Sequence, residues 1–329
     1  MKVPLPYSAE SLKIDAVVEA ERIALRIREI VFSDLRRKGI VVGLSGGIDS
    51  SVVASLCIRA VGRERVLGLL LPEKESSSES LDFARRIAGQ LEMRTQIEEI
   101  TPTLVACGCY RRRDEAIRRL IPEFREDFKC KLIMRKTLDR EAYRVFSVVV
   151  RSPEGTEIRR RLTAAAYREI VAATGFKQRV RKMIEYFHAD RLQFAVAGTA
   201  NRLEYDLGFF VKNGDGAADF KPIAHLYKAQ VYELARYLDI PAEIQERIPT
   251  ADTYPLEQSQ EEYHFLLPLE KMDLCLHARN HRVSPGEAAE VVGLSREQVE
   301  RVFRDIDSTQ RATRYLHSAP VLIDGTDES

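Results

Sequence analysis

Residues Ile40-Val41-Val42-Gly43-Leu44 form an apolar run with no polar alternate, and they break directly into Ser45-Gly46-Gly47-Ile48-Asp49-Ser50. A strand with both faces apolar belongs in a parallel sheet covered on each side, and a helical stretch from Ser50 to Val61 follows it. The order is strand, loop, helix. Glycines let the main chain approach an anion, and N–H groups at a helix N-terminus favour negative charge, so the loop suits a phosphate. Ser45 and Ser50 add hydroxyl donors. The loop is neither GxxxxGK[ST] nor GxGxxG, which argues against γ-phosphoryl transfer and dinucleotide docking. Asp49 would repel a phosphate unless Mg²⁺ lay between them, and a metal-bound pyrophosphate fits that arrangement. A tight turn alone would account for Gly46-Gly47, but not for the serines and the aspartate around them.

The alternation continues with a strand at Val66–Leu71, a helix at Ser78–Gln90 and a strand at Arg94–Ile100. A fourth strand, Gln193–Ala197, enters Gly198-Thr199 and a helix at Asn201. This pattern predicts an α/β fold with a doubly wound parallel sheet, in which the loops after Leu44 and Ala197 face one crevice. Amphipathic helix fills residues 10–38. Residues 110–165 break the rhythm with an Arg-rich helix (Tyr110–Leu120) and a β-hairpin, Tyr143–Val150 and Glu157–Leu162, around Ser152-Pro153-Glu154-Gly155. We read about 108–165 as a helix and β-hairpin insertion. Helices at Leu269–Ala278, Ser284–Val292 and Ser295–Ile306 follow, with Ser284-Pro285-Gly286-Glu287 reading as cap, first-turn proline and capping-box glutamate. The expected organisation is an α/β domain over 1–267, a helical C-terminal region over 268–323 and a disordered tail at 324–329.

Lys plus Arg number 51 against 50 Asp plus Glu, so the chain carries no global field for a nucleic acid, and none is expected as partner. No stretch approaches the ~20 apolar residues that span a bilayer, and Met1-Lys2-Val3-Pro4 opens no signal peptide. No membrane association and a cytoplasmic location are the expectations. Five cysteines without a secretory signal read as free thiols. Cys107, Cys109 and Cys130 raise the alternative of a zinc or iron–sulfur site, although a fourth ligand and C-x-x-C spacing are lacking.

The Ser45–Ser50 loop resembles the pyrophosphate loop of the N-type ATP pyrophosphatases, whose fold is adenine nucleotide alpha hydrolase-like and which cleave ATP to AMP and pyrophosphate. Further on, Gly198-Thr199-Ala200-Asn201-Arg202-Leu203-Glu204 and Gly208-Phe209-Phe210-Val211-Lys212-Asn213-Gly214-Asp215-Gly216-Ala217-Ala218-Asp219 resemble the NAD synthetase family. Leu226-Tyr227-Lys228-Ala229-Gln230-Val231 and Pro249-Thr250-Ala251-Asp252 fall in the same order. Lys177-Gln178-Arg179-Val180-Arg181 is similar to its K-A-R-x-R stretch, with Gln for Ala. The resemblance implies ATP contacts at Gly43, Leu44, Ser45, Gly46, Gly47, Ile48, Ser50, Thr199, Lys228 and Thr250. It also implies Mg²⁺ on Asp49 and Glu204, and dinucleotide contacts at Arg179, Lys212 and Asp219. Asp49, Lys228 and Asp219 would be catalytic, the last by orienting or deprotonating ammonia.

The implied activity is ATP-dependent amidation of deamido-NAD by ammonia through an acyl adenylate, in a homodimer. Related chemistry on another substrate such as tRNA, or a regulatory subunit without turnover, are the alternatives. Thr309-Gln310-Arg311-Ala312-Thr313-Arg314-Tyr315 stands where the family has a lid, with Arg311 or Arg314 in place of its lysine. The 39 residues before the first strand are too few for a fused glutaminase, so a separate glutaminase subunit is a candidate partner. Arg111–Arg113, Arg118-Arg119 and Arg159–Arg161 would dock it, or be solvated faces paired with Asp114, Glu115 and Glu157.

Overall fold

The structure is a computed structural model and describes residues 7–134, 145–250, 253–263 and 265–323. Its strands are β1 (Ile40–Gly43), β2 (Val66–Leu70), β3 (Arg94–Ile97), β4 (Lys129–Met134), β5 (Phe146–Arg151), β6 (Glu157–Arg161) and β7 (Ala195–Ala197). Two sheets result. β3-β2-β1-β7 are parallel in that order, with Ile40 level with Val66 and Ala195, while β4-β5-β6 are antiparallel. The helices begin with α1 (Ala16–Glu29), α2 (Ile48–Val61), α3 (Ser78–Gln90), α4 (Thr101–Ala106), α5 (Cys109–Arg118), α6 (Ala164–Leu192) and α7 (Arg202–Leu207). They continue with α8 (Lys228–Tyr237), α9 (Ala242–Glu246), α10 (Gln260–Tyr263), α11 (Leu269–Asn280), α12 (Pro285–Val292) and α13 (Arg296–Thr313).

Strand periodicity divides the sheet between two cores. Ile40 and Val42 pack with residues of α1, α2, α3 and α8, whereas Val41, Leu67, Leu69 and Val196 pack with α4, α5 and α6. Each fully buried Val or Ile here stabilises by about 2 kcal/mol relative to exposure. The chain is thus wound on both faces, as the apolar run predicts.

Three departures have local causes. β3 stops at Ile97, because beyond it the pairing continues only as single bonds, Glu98 N–H to Leu70 O and Ile100 N–H to Pro72 O, and Pro72 has no N–H to extend the ladder. β7 starts at Ala195, because Gln193 adopts φ 57° to end α6. The hairpin is a three-stranded sheet: β4 pairs Cys130 with Val150 and Leu132 with Val148, and β5 begins at Phe146. Tyr143 and the tail 324–329 lie outside the described residues. Cys130, Leu132, Val148 and Val150 pack on Ala116, Ile117 and Ile170, while β6 forms the outer edge with Arg159, Arg160 and Arg161 exposed.

The C-terminal helices are capped as expected: Glu287 N–H donates to Ser284 Oγ, and Gln298 N–H to Ser295 Oγ. Their core takes in Leu203, Leu207 and Tyr227 from α7 and the approach to α8. On α11, His277 stacks on His281 at 4.0 Å, and its Nδ1 is buried with no hydrogen-bond partner among the described residues. Burial, followed by the nearby His281 and Arg202, lowers its pKa to about 4. The folded state therefore refuses a proton that the unfolded chain accepts below its ordinary pKa, so stability falls as pH drops from 6.5 towards 4. Between about pH 7.5 and about pH 5, His277→Gln is expected to lose less melting temperature than the parent. Equal losses in thermal unfolding would remove His277 from the acid response. Among the described residues no helix is long and apolar enough to cross a membrane.

Candidate active site

Past β1, Leu44 N–H still bonds Leu69 O at 2.8 Å, and then the chain turns at Gly46, φ +76°. A Cβ at Gly46 would meet Ser80 O at 2.2 Å, so the close turn admits only glycine. Gly47 precedes the first turn of α2. Ser45 Oγ accepts from Gly47 N–H at 3.2 Å and lies 3.1 Å from Ser50 Oγ, while the Ser50 hydroxyl donates to Gly47 O at 3.0 Å. The serines first shape the loop itself, and both line the cleft.

The second loop arrives from β7. Asn201 caps α7 by accepting from Glu204 N–H at 3.1 Å, and Glu204 Oε2 accepts from Asn201 N–H at 3.2 Å. This capping box fixes the Glu204 carboxylate at the start of α7. The Asn201 amide donates to Asp49 Oδ1 at 3.2 Å, joining the loops after β1 and β7 across the switch point. Lys228, the first residue of α8, pairs with Asp49 Oδ2, and its side chain is only 3% exposed. Burial opposes its charge, but Asp49 and Glu204 outweigh that and raise its pKa above the ordinary lysine value.

Gly43, Leu44, Ser45, Gly47, Ile48, Asp49, Ser50, Thr199, Glu204, Lys228 and Thr250 line a cleft of about 450 Å³. Ala251 and Asp252 lie outside the described residues. Asp49 and Glu204 are the two carboxylates that face Lys228 there, and among the described residues no group of three or more His, Cys, Asp or Glu side chains could hold a metal. That donor set fits a hard cation that keeps its waters and bridges to phosphate, and not a closed protein cage.

The other three expected residues, Arg179, Lys212 and Asp219, do not line that cleft. Arg179 Nε donates to Lys212 O at 3.2 Å, and Lys212 Nζ donates to Tyr315 O at 2.8 Å and Ser318 O at 3.3 Å. Asp219 accepts from Val196 N–H at 2.7 Å and from the Tyr186 hydroxyl at 3.2 Å. The cleft wall on that side is formed instead by residues not singled out from sequence: Lys182 and Glu185, paired at 2.5 Å, together with Asp215. Asp215 accepts from Val211 N–H at 2.8 Å, and burial raises its carboxyl pKa in spite of that bond and of Lys182. Asp215 sits inside the Gly-Asp-Gly of the quoted motif, so its signal was present. Arg311 and Arg314 are exposed, and just past that stretch His317 lies edge-on to Tyr205 at 4.6 Å and, at 5.1 Å, to Phe210 of the cleft wall.

Behind the cleft lies a buried charge network. Lys177, fully buried, donates to Glu73 and Glu75 at 2.7 Å each and to Thr253 O at 2.9 Å. Arg113 forks onto Glu75 at 2.7 and 2.9 Å and bonds Asp114 at 2.8 Å, and the Tyr110 hydroxyl donates to Glu73 at 2.6 Å. The expectation of solvated arginines on this helix holds for Arg111 on Glu115, and is corrected for Arg113, whose side chain is 4% exposed. Cys109 donates to Ala173 O, and burial pushes the Cys109 and Cys130 thiols up to about 11.

A sequence profile described as NAD synthase matches residues 19–125 and 151–314, leaving β4 and most of β5 outside. The chain is 53% identical over 311 residues to the NH(3)-dependent NAD(+) synthetase of Mesorhizobium japonicum, covering 94% of this chain and 98% of that one. Among solved structures, an NMN synthetase from Francisella tularensis superposes with TM-score 0.64 at 20% identity, over 95% of this chain and all of the other. An NH3-dependent NAD synthetase from Campylobacter jejuni gives 0.61 at 22% identity, over 94% of this chain and all of that one. At such identities the two structures speak for the fold.

Proposed function

The chain belongs to the NAD synthase family, and from that premise we propose that its cleft converts deamido-NAD to NAD at the expense of ATP, with ammonia as nitrogen donor. The observation that carries the reading is the convergence of Asp49, Glu204 and Lys228 beside the Ser45–Ser50 loop.

Each step follows from making an amide out of an unreactive carboxylate. The nicotinate oxygen bonds to the α-phosphorus of ATP as the bond to the β-phosphate breaks. Loop N–H groups receive the departing pyrophosphate, with the Ser45 and Ser50 hydroxyls turning to it from their partners within the loop, and Lys228 offsets charge on the transferring phosphoryl group. Ammonia then forms the C–N bond and sheds a proton, the acyl C–O bond breaks, and AMP leaves. Asp49 and Glu204 would hold Mg²⁺, whose charge neutralises pyrophosphate. Asp219 would orient or deprotonate ammonia, and Arg179 and Lys212 would meet anionic parts of the dinucleotide.

Arg179, Met183 and Phe187 recur four residues apart on α6, with Met183 and Phe187 more than half exposed. This supports a homodimer that buries the two apolar residues and brings Arg179 to its interface. A cytoplasmic location suits the soluble substrates. Incubation with ATP, Mg²⁺, deamido-NAD and ammonium is expected to give NAD, AMP and pyrophosphate in equal amounts, read by chromatography. No NAD from folded protein, or AMP release that needs tRNA and not deamido-NAD, would overturn the reading.

A further inference from the structure

Lys228 occupies an unfavourable place for a cation. It opens α8, where the helix dipole is positive and where the first-turn N–H groups have no partner within the helix. The Tyr227 N–H is taken by Gln230 Oε1 at 3.0 Å. Ala229 N–H, two positions on, is satisfied from another element: Asp273 Oδ2 on α11 accepts it at 2.8 Å.

Asp273 is 0% exposed, and its other oxygen has no hydrogen-bond partner among the described residues. A buried carboxylate with one free oxygen is costly, and replacing it with an apolar side chain would relieve that cost if α8 did not need the charge. Burial pushes its carboxyl pKa up to about 6, against the pull of the Ala229 and Lys228 N–H groups and of the Lys228 charge. Its acceptor oxygen meets the positive end of α8.

We propose that Asp273 is the positioning residue for Lys228, anchoring the first turn of α8 to the C-terminal helices so that the ammonium stays level with the phosphate loop. The inference rests on the reading of Lys228 as the cation on the transferring phosphoryl group. Asp273 touches neither Asp49 nor the cleft; it acts through the backbone that carries Lys228. The C-terminal helices thereby hold part of the catalytic machinery in register.

The test compares Asp273→Ala, Asp273→Asn and Lys228→Met in the full chain, with NAD formation and amide hydrogen exchange as readouts. Asp273→Ala removes acceptor and charge, and is expected to lower kcat about 10- to 100-fold, as small displacements of a positioned group do, with KM for deamido-NAD unchanged. Exchange protection should be lost over Tyr227–Gln230 and kept over Val231–Tyr237. Asp273→Asn keeps an acceptor of the same shape, so it should fold, retain that protection and lose only about threefold in kcat. Wild-type kcat in either folded variant, or a lower kcat in Asp273→Ala with α8 protection intact, overturns the proposal; if Asp273→Ala does not fold, Asp273→Asn decides alone. Lys228→Met separates the two readings. Near-normal turnover there sinks the role of Lys228, whereas a dead Lys228→Met beside a fully active Asp273→Ala sinks only the role of Asp273.

Discussion

Asp49→Asn is expected to lower kcat by about 100- to 1000-fold, with a folded protein whose melting temperature falls because the buried Lys228 loses one of its two counter-charges. The amide keeps the volume of the side chain but offers one acceptor oxygen where the carboxylate served both the Asn201 amide and Lys228, so one of these contacts is lost and Glu204 is left as the counter-charge of Lys228. What disappears is one of two carboxylates that can share a cation with the leaving pyrophosphate. The Mg²⁺ concentration for half-maximal NAD formation should rise with it, since one ligand cannot hold the ion as two do. Turnover within tenfold of the parent would take Asp49 out of the chemistry.

Lys177→Met carries the opposite signature. It leaves the cleft's reacting groups untouched but removes the counter-charge of the buried Glu73 and leaves Glu75 to Arg113 alone, and breaking a buried ion pair from one side costs about 3–5 kcal/mol. Burial would raise the Glu75 carboxyl pKa, yet Arg113 and Lys177 together hold it below the usual range. Its stabilising contribution is therefore present above the ordinary carboxylate pKa and is lost as pH falls through the lowered value. The deficit of Lys177→Met should accordingly be widest at neutral pH and narrow in acid, as read from denaturant midpoints. A deficit below about 1 kcal/mol at neutral pH would mean that the network is dispensable.

These two side chains also mark how far the sequence could be read. Asp49 was legible because its neighbours are local: an apolar strand, two glycines and a helix start lie within a dozen residues, and each has one physical use. Glu204 and Lys228 were reached through a family resemblance, and the structure then gave them a meeting point. Lys177 was only one letter of a motif, since its partners Glu73 and Glu75 stand 104 and 102 positions away. Charged residues read as surface unless the paired charge is seen, which is also why Arg113 was placed in solvent.

The helix α6 escaped for a related reason. It buries Ala173, Lys177 and Val180 on one side and exposes Met183 and Phe187 on another, so its apolar residues trace no single stripe. Strand β4 was missed because Lys129 and Lys131 alternate with Cys130 and Leu132 in a run too short to stand out from loop. Lys131 finds its counter-charge on Glu262 of α10, again far along the chain.

The outer strand of the inserted sheet bears on how the protein behaves in a crowded solution. An open β edge offers unpaired amides to any passing strand, and sheets left bare in this way seed aggregates. On β6 that edge carries Arg159, Arg160 and Arg161, so two copies approaching edge to edge bring six guanidinium groups together before a backbone bond can form. The arginine run thereby guards that edge by charge. Its protection rests on long-range repulsion, which weakens as added salt shortens the screening length to about 3 Å at molar ionic strength.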